Sequence, residues 1–234
     1  MSKEQIQNDW YRAYYAKGGS DRNDLRGNPE VLFQVLGLER SFIQASRAIL
    51  NETGNAKVLD VGCGGGGDLF QLLRIGYRAE NITGIEVQAD RLESARKLYP
   101  AIRFIHGDAS KTDFSEGEFD LVFESTMFAT LPDDKVREGI AAEMLRVCKS
   151  GGYLLLLDWR THKPGDPNYK ALTRREVKKL FRVGADTEIV GVYPGALVPP
   201  VGRFLSAHLP SVYFLVAAIF PFLVGQVAYL LKKK

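Results

Sequence analysis

Short apolar runs alternate with amphipathic stretches along most of the chain. Apolar runs of roughly four to eight residues bounded by turn formers are typical of buried strands, and apolar positions three or four apart are typical of helices. The pattern predicts strands at 57–61, 82–86, 102–106, 119–123, 153–157 and 187–193. It predicts helices near 67–75, 90–98, 134–148 and 173–182. This alternation favours right-handed βαβ crossovers and a parallel sheet covered by helices on both faces.

The first 55 residues precede this alternation. Trp10, Tyr11, Tyr14 and Tyr15 form i, i+4 pairs and predict an aromatic helix face within 4–17. Pro29 can open a second helix at its first turn. We expect residues 1–55 to form a helical cap and residues 56–234 to form the ligand-binding domain of a single globular unit.

A long apolar tract lies near the C-terminus. Residues 204–231 contain no Asp, Glu, Lys or Arg and precede three lysines. About 20 apolar residues can cross a bilayer, but Pro210, Pro221 and several polar residues interrupt this run. A membrane span and a folded part of the domain are both compatible with the composition.

Composition and charge exclude several classes of protein. With 234 residues, of which 45% are hydrophobic, and a net charge of +3, the chain is typical of one globular domain and has no basic footprint for nucleic acid. Cys63 and Cys148 lie in elements that give no reason for a disulfide, which favours a reducing compartment and a cytoplasmic protein. No cysteine and histidine cluster predicts a metal site. No prediction follows for the oligomeric state.

The strongest local signal is the run Val58-Leu-Asp-Val-Gly-Cys-Gly-Gly-Gly-Gly67, in which a strand leads into a glycine loop and a helix. Such a loop can approach a nucleotide-like ligand closely. Gly62, Gly64 and Gly67 also satisfy the G-x-G-x-x-G pattern of NAD-binding proteins, so the glycines alone leave two interpretations open. Asp60, two residues before the first glycine, suits a ligand with a cationic amino group.

The D-x-G-x-G-x-G run resembles motif I of the class I S-adenosylmethionine (SAM) methyltransferases. Further motifs follow in the family's order: Glu86 at the end of the second strand, His106-Gly-Asp-Ala109 after the third, Phe119-Asp-Leu-Val-Phe123, and Arg146-Val-Cys-Lys-Ser-Gly-Gly152. The resemblance implies a Rossmann-like α/β fold with a seven-stranded, mostly parallel sheet in the order 3-2-1-4-5-7-6 and an antiparallel last strand. Strand seven would then be 226–231 and the apolar tract at 204–222 a helix on the sheet, with peripheral membrane contact through that tract.

The resemblance also implies SAM as cofactor, S-adenosylhomocysteine as product, and a set of site residues. The acidic residues would bind the amino group and the ribose, and Asp108 with the following backbone N–H would bind the adenine. The expected cofactor-binding residues are Asp60, Gly62, Cys63, Gly64, Gly66, Glu86, Val87, Asp108, Ala109, Glu124, Ser125 and, as a lid over the sulfonium, Tyr14.

The expected reaction is methyl transfer to a small molecule, on an oxygen of a sugar or of another metabolite. The sugar rests on the likeness of Pro199-Pro-Val-Gly-Arg203 to a subset associated with glycan pathways. A hydroxyl acceptor needs a base, and the candidates after strands four and five are His162, Asp158 and Glu124. The alternatives are an NAD-dependent oxidoreductase and a membrane-anchored methyltransferase with a lipid-linked substrate.

Overall fold

The computed structural model describes residue 25 and residues 27–49, 53–163, 165–166 and 168–234. Seven strands form one sheet in the order β3-β2-β1-β4-β5-β7-β6, which confirms the predicted fold. The strands are β1 (Val58–Val61), β2 (Ile82–Glu86), β3 (Arg103–His106), β4 (Phe119–Ser125), β5 (Cys148–Trp159), β6 (Thr187–Pro194) and β7 (Gln226–Lys233).

Helices cover both faces of this sheet. They are α1 (Leu32–Ser46), α2 (Leu69–Arg74), α3 (Ala89–Leu98), α4 (Asp134–Val147), α5 (Arg174–Leu180), α6 (Pro199–His208) and α7 (Tyr213–Ile219). Two of them begin with a side-chain cap: Asp133 accepts the N–H of Lys135 at 2.9 Å, and Thr173 accepts that of Glu176 at 3.3 Å. These caps satisfy backbone donors that the first turn of a helix leaves free.

Strand direction brings the chemical groups to one edge. Strands β1 to β5 are parallel, so their C-terminal ends lie at the same edge of the sheet. Strand β7 is antiparallel and begins at this edge, where Gln226 pairs with Trp159. Open α/β sheets bind their ligands at the C-terminal edge of the strands.

The apolar C-terminal tract differs from its prediction. The single helix expected at 204–222 is wrong, because the tract forms α6 and α7 with short 3-10 turns at Pro210–Val212 and Pro221–Leu223. Both turns begin at prolines, which have no N–H to continue a helix. Within the described ranges, no helix is both long and apolar enough to span a bilayer.

Two further boundaries depend on packing. Strand β5 begins at Cys148 instead of residue 153, because Cys148 already pairs with Phe119, and the polar and glycine residues that follow it form an irregularity in the pairing that has no apolar signal. Helix α1 packs on the sheet through Phe42, whose ring lies 5.6 Å from that of Phe123. The helix expected at 4–17, including Tyr14, lies outside the described residues, and the boundary at residue 55 remains a prediction.

Candidate functional site

The glycine loop connects β1 to α2 and closes against the tip of β2. Gly62, Gly64 and Gly66 have φ angles of +71°, +53° and +82°, a region that residues with a Cβ rarely adopt. The N–H groups of Gly62 and Cys63 both donate to the carbonyl of Ile85, at 2.9 and 3.1 Å. The four predicted loop residues, including the buried Cys63, therefore form one rigid turn at the C-terminal edge.

Glu86 lies beside this turn and is almost fully buried. One carboxylate oxygen accepts the N–H of Gly64 and the other accepts the N–H of Gln88, both at 2.9 Å. Each oxygen keeps a second lone pair, which is what a vicinal diol requires as acceptor. Val87, next in the chain, exposes its side chain at the same strand tip.

Asp60 is a buried carboxyl group of the crevice. Its side chain is buried on β1, and burial, followed by the negative charges of Asp68 and Glu86, raises its pKa well above the ordinary value. Burial also raises the pKa of Asp68, against the lowering effect of its hydrogen bonds with Ser125 and Gln71. Three carboxyl groups thus concentrate negative potential beside the glycine loop, and a cationic ligand would relieve it.

The tip of β3 completes this side of the site. The N–H of Gly107 donates to the carbonyl of Glu86 at 3.1 Å, which ties the tips of β2 and β3 together. Asp108 is exposed, and one of its oxygens accepts the N–H of Ser110 at 2.8 Å. Ala109 is partly buried beside it. The acidic residues predicted at three successive strand ends are Asp60 on β1, Glu86 on β2 and Asp108 two residues after β3, and these three strands are neighbours in the sheet.

A strained turn follows β4 at residues 126–130. Thr126 has a φ of +57°, which is unfavourable for a β-branched residue. Glu124 accepts the N–H of Met127 at 3.1 Å, and Asp158 accepts that of Ala129 at 2.9 Å and that of Trp159 at 2.6 Å. Both carboxyl groups are completely buried, so as the structure stands they bind backbone and are shielded from solvent.

The two carboxyl groups share one environment. Burial, and next the charge of Asp158, raises the pKa of Glu124 well above its ordinary value; burial also raises that of Asp158. One oxygen of Glu124 is buried with no hydrogen-bond partner. Two buried carboxyl groups side by side favour a state in which one of them holds a proton.

Arg137 on α4 is a residue that sequence reasoning missed. Its guanidinium is fully buried and donates to the carbonyls of Phe128 at 2.7 Å and Lys170 at 2.9 Å, and it lies 3.5 Å from the carboxylate of Glu176. Burial lowers its pKa, while the charges of Glu176 and Asp158 raise it. Arg137 thus binds the 126–130 turn through the carbonyl of Phe128. Only its position in the fold reveals this role.

His162 lies apart from these buried groups. It is exposed in the loop after β5 and lines an open cleft of about 400 Å³ together with Lys163, Gly165, Asp166 and Tyr169. Of the three candidate bases, it is the one whose side chain is exposed to solvent.

Comparisons with known proteins point to one family. A sequence model described as a methyltransferase domain matches residues 58–152. The 2-methyl-6-phytyl-1,4-hydroquinone methyltransferase of Synechocystis is 38% identical over 105 residues, covering 44% of this chain and 31% of that enzyme. A probable chloroplastic tocopherol O-methyltransferase of Oryza sativa subsp. japonica is 29% identical over 154 residues, covering 64% and 41%. The chain therefore spans less than half the length of both relatives.

A solved structure agrees on the fold. A SAM-dependent methyltransferase from Methanosarcina mazei superposes with a TM-score of 0.56 at 19% identity, covering 77% of this chain and 93% of that one. The domain match begins at the first residue of β1 and ends in β5, so it contains the glycine loop and the strand tips described above. The domain match, the strand order and the motif positions therefore all agree with the resemblance of this chain to the class I SAM-dependent methyltransferases.

Proposed function

We propose that the protein transfers a methyl group from SAM to an apolar small molecule with a hydroxyl-bearing ring. The observation that supports SAM as cofactor is the group of three carboxyls around the glycine loop, of which Asp60 and Glu86 are buried and Asp68 is half-buried. SAM supplies an electrophilic methyl group on a sulfonium and also carries a cationic amino group. Both positive charges suit a crevice in which carboxylates repel one another.

The residues present fit this cofactor part by part. Asp60 would accept hydrogen bonds from the amino group, and the free lone pairs of Glu86 would accept the two ribose hydroxyls. Asp108 and the N–H of Ala109 would bind the adenine edge next to Val87. Ser125, at the end of β4, would lie near the methionine tail together with the glycine loop.

The same charges weigh against NAD. Its pyrophosphate would have to lie on the glycine loop, close to Asp60 and Asp68. Like charges in a buried crevice repel strongly, and the backbone N–H groups of the loop and the Arg91 guanidinium beside Gly64 would have to overcome this repulsion. A ribose bound by Glu86 is common to both ligands and does not separate them.

The acceptor is proposed from the relatives and from the surface of the domain. The two enzymes named above act, by their names, on a phytyl hydroquinone and on tocopherol, which are phenolic rings with hydrocarbon tails. Large exposed apolar side chains follow β6 in this chain, as described below. Both features favour a lipid-like ring over the sugar suggested by the C-terminal motif.

For a hydroxyl acceptor, we propose His162 as the base that takes the proton. It lines an open cleft after β5, and imidazole is suited to proton transfer near neutral pH. Glu124 and Asp158 would act indirectly, by holding the 126–130 turn in place. Alignment of the acceptor with the methyl group is the main catalytic requirement, because well-oriented groups reach effective molarities of about 10⁵ M or more.

Calorimetry tests the cofactor directly. The protein is titrated with SAM, S-adenosylhomocysteine and NAD, alongside Asp60→Asn and the exposed control Glu80→Gln. We expect binding of the first two ligands and a loss of about 1–3 kcal/mol in Asp60→Asn only. Heat from NAD with none from the other two would refute the proposal.

Transfer of label tests the acceptor. Methyl-labelled SAM is incubated with the protein and separate pools of prenylated phenols, free sugars and proteins. Label in the phenol pool is expected, and its reduction in His162→Gln would support the base. Label confined to sugar or to protein would contradict the acceptor while leaving the cofactor assignment intact.

A further inference from the structure

The surface after β6 exposes an unusual number of large apolar side chains. Six of them lie within residues 204–222, which we call the apolar lobe. Their exposed fractions are 57% for Phe204, 52% for Leu209, 57% for Leu215, 58% for Ile219, 43% for Phe220 and 72% for Phe222. Single exposed apolar residues are ordinary, but six of them within one segment of 19 residues, with the rings of Phe220 and Phe222 5.9 Å apart, mark an interaction surface.

The exposed side belongs to well-packed helices. Tyr213 and Ala217 of α7 are buried against the domain, and the hydroxyl of Tyr213 accepts the N–H of Leu197 at 3.0 Å. The ring of Phe33 lies 5.6 Å from that of Tyr213. The inner side of the lobe is therefore fixed, so the outward direction of Ile219 and Phe222 is a property of the fold.

We propose that the apolar lobe docks on the surface of a lipid bilayer, which would bring the domain to an acceptor dissolved in the membrane. This inference rests on the proposed function for the identity of that acceptor. Residues 189–234 contain no Asp or Glu, so no acidic side chain of that stretch opposes an anionic or zwitterionic headgroup. Arg40 lies at the base of the lobe, with its guanidinium 5.0 Å from the ring centre of Phe214.

The shape of the lobe favours a bilayer over a protein. A side chain as exposed as Phe222 protrudes and needs a matching pocket in a protein partner, whereas acyl chains adapt to it. Helices α6 and α7 have ten and seven residues, which suits insertion at the interface better than a span.

The lobe also adjoins the reactive edge of the sheet. Arg160, directly after β5, donates its backbone N–H to Gly225 at 2.8 Å and its Nε–H to the carbonyl of Val224 at 2.7 Å. Its guanidinium also contacts the carbonyl of Pro221. The end of the lobe is thus tied to the loop that leads to His162, and a docked bilayer would face the side of the domain where the acceptor must enter.

Sedimentation with vesicles tests the proposal. Vesicles of phosphatidylcholine, alone and mixed with phosphatidylglycerol, are incubated with the protein, with the double variant Phe220→Ser/Phe222→Ser, and with Leu98→Ser. Leu98 is 66% exposed at the end of α3, which leads to β3, the outer strand on the other side of the sheet from β6, and is the matched control. We expect the partition coefficient to fall about tenfold or more in the double variant and to stay unchanged in the control.

Further measurements keep the outcomes distinct. Phe222→Trp, which keeps a large apolar side chain, should show a larger blue shift of its emission on addition of vesicles than the native protein, in which only Trp10 and Trp159 emit. Absence of vesicle binding by the native protein, or equal binding by the double variant, would overturn the proposal. Light scattering gives a further outcome. If the native protein forms an oligomer that is lost in the double variant, and the native protein does not bind vesicles, the proposal is also overturned. Calorimetry with S-adenosylhomocysteine on the same preparations separates the two proposals. Vesicle binding without S-adenosylhomocysteine binding would contradict only the proposed methyl transfer. S-adenosylhomocysteine binding without vesicle binding would contradict only the proposed docking of the apolar lobe.

Discussion

Glu124→Gln is expected to stabilise the protein, although the residue is completely buried. The carboxyl groups of Glu124 and Asp158 and the guanidinium of Arg137 interact around the 126–130 turn. One oxygen of Glu124 accepts the N–H of Met127, and the other has no partner. The amide of the replacement can still accept from Met127, but it presents no negative charge to Asp158.

The magnitude follows from the charge on the unpartnered side of this carboxylate. A buried polar atom without a hydrogen bond destabilises the folded state by about 1–3 kcal/mol if it is neutral, and by more if it is charged. The amide nitrogen of the replacement carries the neutral cost, whereas the ionised carboxylate carries the larger one. We therefore expect a gain of about 1–3 kcal/mol in the free energy of unfolding at about pH 8, where an ionised Glu124 is least favourable.

The gain must depend on pH with a definite sign. Burial and Asp158 raise the pKa of Glu124 in the folded state, while the unfolded value is about 4.3. The folded state then binds more protons than the unfolded state above about pH 4, so this group lowers stability as pH rises toward its folded pKa. At about pH 4 Glu124 is protonated and resembles the amide, and the unfolded carboxyl is also largely protonated, so the two proteins should differ by less than about 0.5 kcal/mol.

Urea unfolding at several pH values between these limits measures the difference. Glu188→Gln, at an exposed position on β6, is the control and should run parallel to the native protein at every pH. A loss of more than about 1 kcal/mol for Glu124→Gln at pH 8 would refute the reasoning, because it would mean that Arg137 requires the charge of Glu124.

Three other predictions concern the turn, the loop and the cofactor. Arg137→Met should lower the free energy of unfolding by about 3–5 kcal/mol, because it leaves buried carbonyls and carboxyls without their cation. In the same urea titration, Arg182→Met at the surface should lower it by less than about 1 kcal/mol. Gly66→Ala should be destabilising by about 1–2 kcal/mol and should weaken S-adenosylhomocysteine binding in calorimetry, since Gly66 has a positive φ and a Cβ there would lie 3.1 Å from the ring of Tyr99. At Gly65 a Cβ meets nothing within 4 Å, so Gly65→Ala should change neither the stability nor the binding. Binding of SAM should release protons and tighten as pH rises, because a cationic group favours the ionised form of Asp60, whose pKa is raised in the free protein. Calorimetry in buffers of different ionisation enthalpy measures the number of protons released. Proton uptake on binding would contradict the prediction.

The strand and helix pattern was accessible from local sequence. Apolar runs and helical spacing placed the elements within a few residues, and the family motifs supplied the strand order. The carboxylates at 60, 86 and 108 could be assigned to one edge because the ends of parallel strands always meet there. Periodicity failed where its signal was absent, as in the glycine-containing start of β5.

The surroundings of each candidate base depended on the tertiary structure. Glu124, Asp158 and His162 look alike in the sequence, since each is a polar residue that follows an apolar strand. Packing of the 126–130 turn buries the first two, while the third remains exposed in its loop. Burial depends on residues distant in the chain, so local pattern cannot predict it.

The sequence by itself determined the parallel sheet, the glycine loop and the acidic strand ends, because each depends on residues that are neighbours in the chain. Only the tertiary structure decided that Arg137 supports the turn after β4 and which side of the helices in the apolar tract is exposed. Both features arise from contacts between segments that are far apart in the chain, such as Arg137 with Lys170 and Phe33 with Tyr213. Such contacts are set by the three-dimensional arrangement of the elements, and no local period encodes them.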